Sequence, residues 1–465
     1  MSARRLAFAL AFATALAAPR AARAQQFRFR SVTTGRYIQL RPLVLDTTLN
    51  AFVSGERQYA APLTEDLEIS AWGLGVQGLR AYGLLRVRGS LGSALVWPRY
   101  DDHFDAMWGY LELERTTYRV RLGRQQRASS LGFYAFDGAL GTWRPQPNVR
   151  VELYGGRGLA RGFLDGYANT AISSIDPVIP DRGTLLAGAS VWAAPSAGSS
   201  VSAVYQREIT SDRSGLVSER AALDAQVSAG RHLLFAAYAD ADLAGGQWGK
   251  ARLSGTLRLP SGGRVEVAAF RYRPVFPLNT IWGVFAPQAY SGASVTADYS
   301  PMRQLTLSGS LTYRRYTAAT ETTPFAFGMS DHSSIATVGA QWIEGDYLFR
   351  GDYTYQAGYG GGQSGGSAEL AYDRGGTWQL GLRGTGFQEA EEFRVASGTV
   401  VGLGADARAR FARCCSIRGD LTRYWQMDSK GGDAPDWSQL RGSLTVDVTF
   451  GASADRTTGA AGTYR

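Results

Sequence analysis

From about Arg36 to Phe450, apolar and polar residues alternate at period two in segments of roughly ten to fourteen residues. Leu79, Ala81, Leu85, Val87 and Leu91 share one parity, while Arg80, Tyr82, Arg86, Arg88 and Ser90 share the other. The split recurs at Val217, Ala221, Leu223, Ala225 and Val227 against Arg220, Asp224, Gln226 and Ser228. It is cleanest at the end, with Leu440, Leu444, Val446, Val448 and Phe450 opposed to Gln439, Arg441, Ser443, Thr445, Asp447 and Thr449. Successive side chains of a strand point to opposite faces, so each segment predicts a strand with one apolar and one polar face. A soluble sandwich alternates in the same way, so period alone does not decide between a water-soluble and a membrane sheet.

The connections separate the two. Short ones are expected at Gln77-Gly78, Arg115–Thr117, Pro145–Asn148, Pro195–Ser199, Gly230, Pro260–Gly263, Ser300–Met302, Gly345, Gly375 and Cys414. Longer ones alternate with them, at about 55–64, 98–105, 127–132, 157–183, 211–216, 244–247, 274–289, 318–331, 359–365, 389–397 and 428–436. Strict alternation of short and long connections is expected of an outer-membrane barrel, with short periplasmic turns and longer extracellular loops. Ten short and eleven long connections predict an all-β fold, a closed antiparallel transmembrane β-barrel of about 22 strands, within a range of roughly 16–22. Closure follows from hydrogen bonding, because a sheet in hydrocarbon cannot leave an edge unpaired. Aromatic residues cluster near both sets of turns, as two interfacial girdles require. Trp143, Trp192, Tyr299, Trp342 and Trp378 stand at the periplasmic side, and Trp108, Tyr110, Phe133, Tyr134, Tyr205 and Tyr353 at the other.

The stretch Tyr118-Arg119-Val120-Arg121-Leu122-Gly123-Arg124-Gln125, then Phe136-Asp137-Gly138 and Val149-Arg150-Val151-Glu152-Leu153-Tyr154, resembles one hairpin region of the larger specific Gram-negative outer-membrane porins, including the alginate-export type. The resemblance covers about residues 118–154, and the remainder agrees in pattern alone. It implies an arginine-rich wall facing the pore, which falls on Arg119, Arg121 and Arg150. One departure is that such barrels usually end at an aromatic residue, whereas Phe450 is followed by a tail.

Composition narrows the setting. The chain has 465 residues, 45% hydrophobic and 19% charged, which excludes disorder, and no run beyond the N-terminus is long enough for a spanning helix. Arg4 and Arg5, the apolar run Leu6–Ala18 and the small-x-small site Ala22-Arg23-Ala24 predict a signal peptide over residues 1–24. The barrel would occupy residues 25–450 and a polar tail residues 451–465. The formal charge of +9 falls to +5 when the four arginines of the leader leave, too little and too dispersed to point to nucleic acid. The expected location is the outer membrane of a Gram-negative bacterium, with membrane lipid, lipopolysaccharide and small solutes as partners and no cofactor.

Parity places Arg80, Arg86, Arg88, Arg119, Arg121 and Arg150 on the lumen side, with Glu112 and Glu114 opposite. Any water-filled interior needs polar side chains, but an arginine-rich wall also concentrates anions. The expected function is a porin-like channel for passive passage of small hydrophilic solutes, with anions as a candidate class. Barrels of about 22 strands are normally plugged, so something must narrow this one. One candidate is the connection 158–183 folding inward with Phe163, Tyr167, Ile172 and Ile175. Another is a multihaem cytochrome sheathed by the barrel in an electron conduit; the chain itself has no Cys-x-x-Cys-His. A remote third reading, an outer-membrane hydrolase, rests on Asp101-Asp102-His103 and Asp331-His332. Adjacent Cys414 and Cys415 form a turn feature or a disulfide in an oxidising compartment.

Overall fold

The computed structural model describes residues 26–40, 43–46, 48, 51–92, 104–159, 184–211, 215–260, 262–273, 289–317, 331–358, 362–390, 398–412, 414–427 and 438–451. Residues 1–25 and 452–465 lie outside them. β1 (Gln26–Leu40) is followed by β2 (Leu43–Asp46) and β3 (Ala51–Ser54), which pair as a separate hairpin, then by β4 (Gln58–Ala60) and β5 (Pro62–Trp72). The wall continues with β6 (Leu79–Ser90), β7 (Phe104–Glu114), β8 (Tyr118–Ser129), β9 (Gly132–Gln146), β10 (Val149–Gly158), β11 (Thr184–Ser196) and β12 (Ser199–Thr210). It goes on through β13 (Leu216–Ala229), β14 (Leu233–Asp242), β15 (Gln247–Arg258), β16 (Gly263–Tyr272), β17 (Tyr290–Met302) and β18 (Leu305–Tyr316). The last strands are β19 (His332–Glu344), β20 (Tyr347–Gly358), β21 (Gly362–Arg374), β22 (Trp378–Ala390), β23 (Gly398–Ala412), β24 (Cys415–Met427) and β25 (Ser438–Gly451).

From β5 onward each strand pairs antiparallel with the next. β25 then pairs with β1 from Arg28↔Gly451 to Ile38↔Arg441, and β1 with β5 from Gln26↔Trp72 to Gly35↔Leu63. The sheet therefore closes into a barrel of 22 wall strands, with β4 extending the line of β5 along β1. Closure satisfies the strand edges within the wall, as hydrocarbon demands. No helix among the described residues is long or apolar enough to cross a membrane.

The two faces differ as the alternation predicts. Leu153, Leu253, Val338, Leu382 and Leu403 point outward and stay exposed, Leu153 at 63% and Leu253 at 61%. A continuous outward band of such side chains is what a lipid solvent accommodates. The opposite parity carries ion pairs such as Arg80–Glu114, Arg121–Glu112 and Arg220–Asp240. Outward Tyr118, Trp143, Tyr299, Trp342, Tyr347 and Trp378 lie near the short-turn end, while Tyr205, Trp248, Tyr313 and Tyr353 lie near the other. Tyr110, Tyr134 and Trp192 depart from the expected girdles and face inward, because their registers align them with Tyr82, Arg127 and Arg150.

Several connections predicted to be long are short. β8 and β9 turn at Ser130-Leu131, and β14 passes to β15 within Leu243–Gly246. The longer connection expected at about 359–365 is also partly strand. Gly362–Gly366 belongs to β21, where Gly366 pairs with Tyr353 and its missing side chain is covered by the Tyr353 ring.

Candidate functional site

The β8–β9 hairpin does not stay in the wall. β8 pairs with β7 only from Arg119↔Glu114 to Arg124↔Gly109, and β9 pairs with β10 only as far as Phe136↔Gly158. Beyond these points, Gln125–Ala135 pairs within the hairpin, apart from the Leu159 amide donating to the Ala135 carbonyl. Glycines make the departure possible. Gly123 has φ +127°, and any Cβ there would run into the Gly109 carbonyl. Gly138 on β9 and Gly156 on β10 face one another so closely that a Cβ on either would strike the backbone of the other strand.

The freed hairpin leans onto the inner wall. Leu131, Tyr134 and Phe136 bury themselves against inward-facing Leu140, Tyr154, Leu186, Val204 and Ala222, with Tyr238 packed alongside. The tip thus reaches from β9 to β13 and β14, crossing roughly 20 Å of wall at the usual strand spacing. It is held there by polar contacts. Arg220 Nη1 donates to the Leu131 carbonyl at 3.0 Å, and Arg220 Nη2 to Asp240 Oδ2 at 2.9 Å. The Tyr238 hydroxyl is 2.8 Å from the Ser130 carbonyl and 2.6 Å from Asp240 Oδ2, and its one proton serves either. Asp240, only 1% exposed, also accepts from the Lys250 amide at 2.8 Å. A buried carboxylate satisfied from three sides is a rigid anchor, because each donor offsets part of its desolvation.

Beside the hairpin the inner wall is strongly basic. Glu112, 3% exposed, accepts from Arg121 Nε at 2.6 Å and lies 3.9 Å from Arg80. Glu114 pairs with Arg80 at 3.4 Å and Arg144 at 3.7 Å. Glu152 faces Arg127 at 3.3 Å, Arg150 at 3.9 Å and Arg119 at 4.0 Å. Six guanidiniums therefore share three carboxylates. Arg127 stacks 4.3 Å over Tyr154 and donates to Ser190 at 2.8 Å, while Arg150 lies 5.5 Å over Trp192. Arg119 is the least compensated, with only Thr142 at 3.5 Å besides Glu152 and a buried Nε without a partner. Arg86 and Arg88 lie apart from this group and pair with Asp66 at 2.6 Å and Asp105 at 2.7 Å.

Other positions singled out in the sequence stand elsewhere. Phe163, Tyr167, Ile172 and Ile175 lie outside the described residues, as do Asp101, Asp102 and His103. Asp331 and His332 are exposed at the outer end of β19, 3.1 Å apart. No cluster of three or more metal-ligating side chains occurs among the described residues. Cys414 and Cys415 sit at the β23–β24 turn as free cysteines with sulfurs 2.7 Å apart. The narrowing hairpin has its own trace in the sequence, for at Leu131, Phe133, Tyr134, Ala135 and Phe136 the alternation gives way to a continuous apolar run.

No protein-family model and no curated protein sequence matches this chain. Among solved structures it is similar to OccAB3 of Acinetobacter baumannii, with a TM-score of 0.42 and 10% identity over 92% of this chain and 99% of that one. It is also similar to a BenF-like porin from Pseudomonas fluorescens Pf-5, with a TM-score of 0.41 and 8% identity over 92% of this chain and 99% of that one. A third is OpdQ of Pseudomonas aeruginosa, with a TM-score of 0.40 and 9% identity over 92% of this chain and 97% of that one.

Proposed function

We propose that this outer-membrane barrel is a passive channel for small hydrophilic solutes, and that Arg80, Arg119, Arg121 and Arg150 line its conducting path and favour anions. The observation that carries the reading is the excess of guanidiniums over carboxylates around Glu112, Glu114 and Glu152, beside a hairpin that occupies part of the lumen. A wall of fixed positive charge with low-dielectric surroundings raises the local anion concentration and admits anions ahead of cations. The hairpin supplies the narrowing that a barrel of this circumference needs if it is not to leak indiscriminately. Arg86 and Arg88, paired with Asp66 and Asp105, contribute polarity to the path rather than net field.

The test is conductance of the purified protein in a planar bilayer, followed by reversal potentials across a salt gradient. Stepwise conductance with anion preference is expected, and Arg119→Ala together with Arg150→Ala should lower that preference roughly twofold. Cation preference would end the anion reading. An electrically silent protein would end the channel reading and leave the cytochrome sheath in its place.

A further inference from the structure

On the outward side of β16–β19 a row of four residues crosses the strands. Arg271 faces Ser291, Ser291 faces Arg315, and Arg315 faces His332. All four are exposed and share the parity of Val295, Leu311, Tyr313 and Val338, the side that meets lipid. Each lies near the end of its strand away from the short turns. Tyr313, exposed at 47%, stands two residues closer to the membrane centre than Arg315 and stacks on the His332 ring with centroids 6.1 Å apart. The row therefore sits just above the outer aromatic level, where hydrocarbon gives way to headgroups.

Two strand spacings separate Arg271 from Arg315, so their backbones are about 10 Å apart. Both side chains are long enough to converge over the Ser291 hydroxyl between them. Asp331 is the acid at this row, 3.7 Å from Arg315 Nε and 3.1 Å from His332 Nδ1, and no carboxylate among the described residues pairs with Arg271. Outward arginines elsewhere lack this arrangement. Arg207 faces Glu219 across β12 and β13, and Arg423 stands over Trp425 with ring and guanidinium 5.5 Å apart. A guanidinium pair at the edge of hydrocarbon loses much of its hydration, and a tetrahedral oxyanion bonded by both forks and a hydroxyl restores it.

We propose that the row Arg271–Ser291–Arg315, with His332 at its end, docks a phosphate group of the phosphorylated glycolipid that fills the outer leaflet. Charge complementarity, height and outward direction all select that occupant, since solutes in the lumen do not reach this face. The inference rests on the barrel spanning the outer membrane and not on its conducting solutes.

Detergent-solubilised lipid A, titrated against the purified barrel, tests it. Saturable binding is expected, weakened at least about tenfold in Arg271→Ala/Arg315→Ala and held within about threefold in Arg271→Lys/Arg315→Lys, because lysine keeps the charge and loses the fork. Arg423→Ala should leave the affinity essentially unchanged, and inorganic phosphate at the same concentration should not displace the lipid. Heat-modifiable gel migration reports folding of each variant, and the single Arg271→Ala variant carries the same expectation should the double variant fold poorly. Wild-type affinity in the arginine-to-alanine variants, equal weakening by Arg423→Ala, or displacement by inorganic phosphate would each overturn the proposal. Bilayer conductance of the same variants should stay at the wild-type value, so loss of glycolipid binding is distinguishable from failure of the channel reading.

Discussion

Asp240 holds the hairpin tip through groups that are far apart in the chain: it fixes Arg220 and meets Tyr238, and those two reach the Leu131 and Ser130 carbonyls. Asp240→Ala leaves Arg220 buried without its carboxylate, which should cost about 3–5 kcal/mol and show as a lower unfolding midpoint in denaturant. Glu112→Gln is a different experiment. It removes the negative partner of Arg121 and Arg80 while keeping shape, so the reversal potential should move further toward the anion limit as stability falls by about 3 kcal/mol. At this scale the sequence is only half legible. Arg119, Arg121 and Glu112 can be assigned to the inner face by parity, because side-chain direction in a strand is a local property. The link from Leu131 to Arg220 cannot, because 89 positions separate them and no local rule brings a hairpin tip across three intervening strands.

The β8–β9 hairpin shows what happens to an element when the period fails. Its lower half obeys alternation and stays in the wall; the upper part of its second arm, apolar on both parities over Leu131–Phe136, has no face to give to water and packs inward. Alternation lost over Leu131–Phe136 was the readable sign, and reading 127–132 as an ordinary outer loop missed it by attending to turn residues alone. The expected constriction residues Phe163, Tyr167, Ile172 and Ile175 lie outside the described residues, and the narrowing that the described residues show belongs to a different element. Deleting Arg127–Tyr134 and closing the gap with two glycines should raise single-channel conductance roughly twofold or more, because the inner wall then loses the hairpin that projects from it. Gly138→Val tests the geometry by which the hairpin leaves the wall. A branched side chain there meets the backbone at Gly155 and Gly156, so the yield of heat-modifiable barrel should fall sharply while Gly141→Val, in more open surroundings, is tolerated better.

Across the whole molecule the period, the even strand number and the placement of short turns at one end were all written in the sequence, since each follows from repeating local physics. The exact loop lengths were not, because a tight outer turn and the start of a longer loop use the same glycines and serines, as Gly362–Gly366 within β21 illustrates. Closure makes stability collective. Removing β25 would expose the edges of both β1 and β24 to hydrocarbon, so a chain truncated after Met427 should fail to give a heat-resistant, detergent-stable barrel. The closing pair has another consequence. With Arg28 opposite Gly451, the two extremities of the wall are neighbours at the same rim, and a linker of a few residues would join them. New ends opened at a tight turn such as Gly345-Asp346 would then give a circularly permuted chain with the same hoop of strands, for a ring has no first stave.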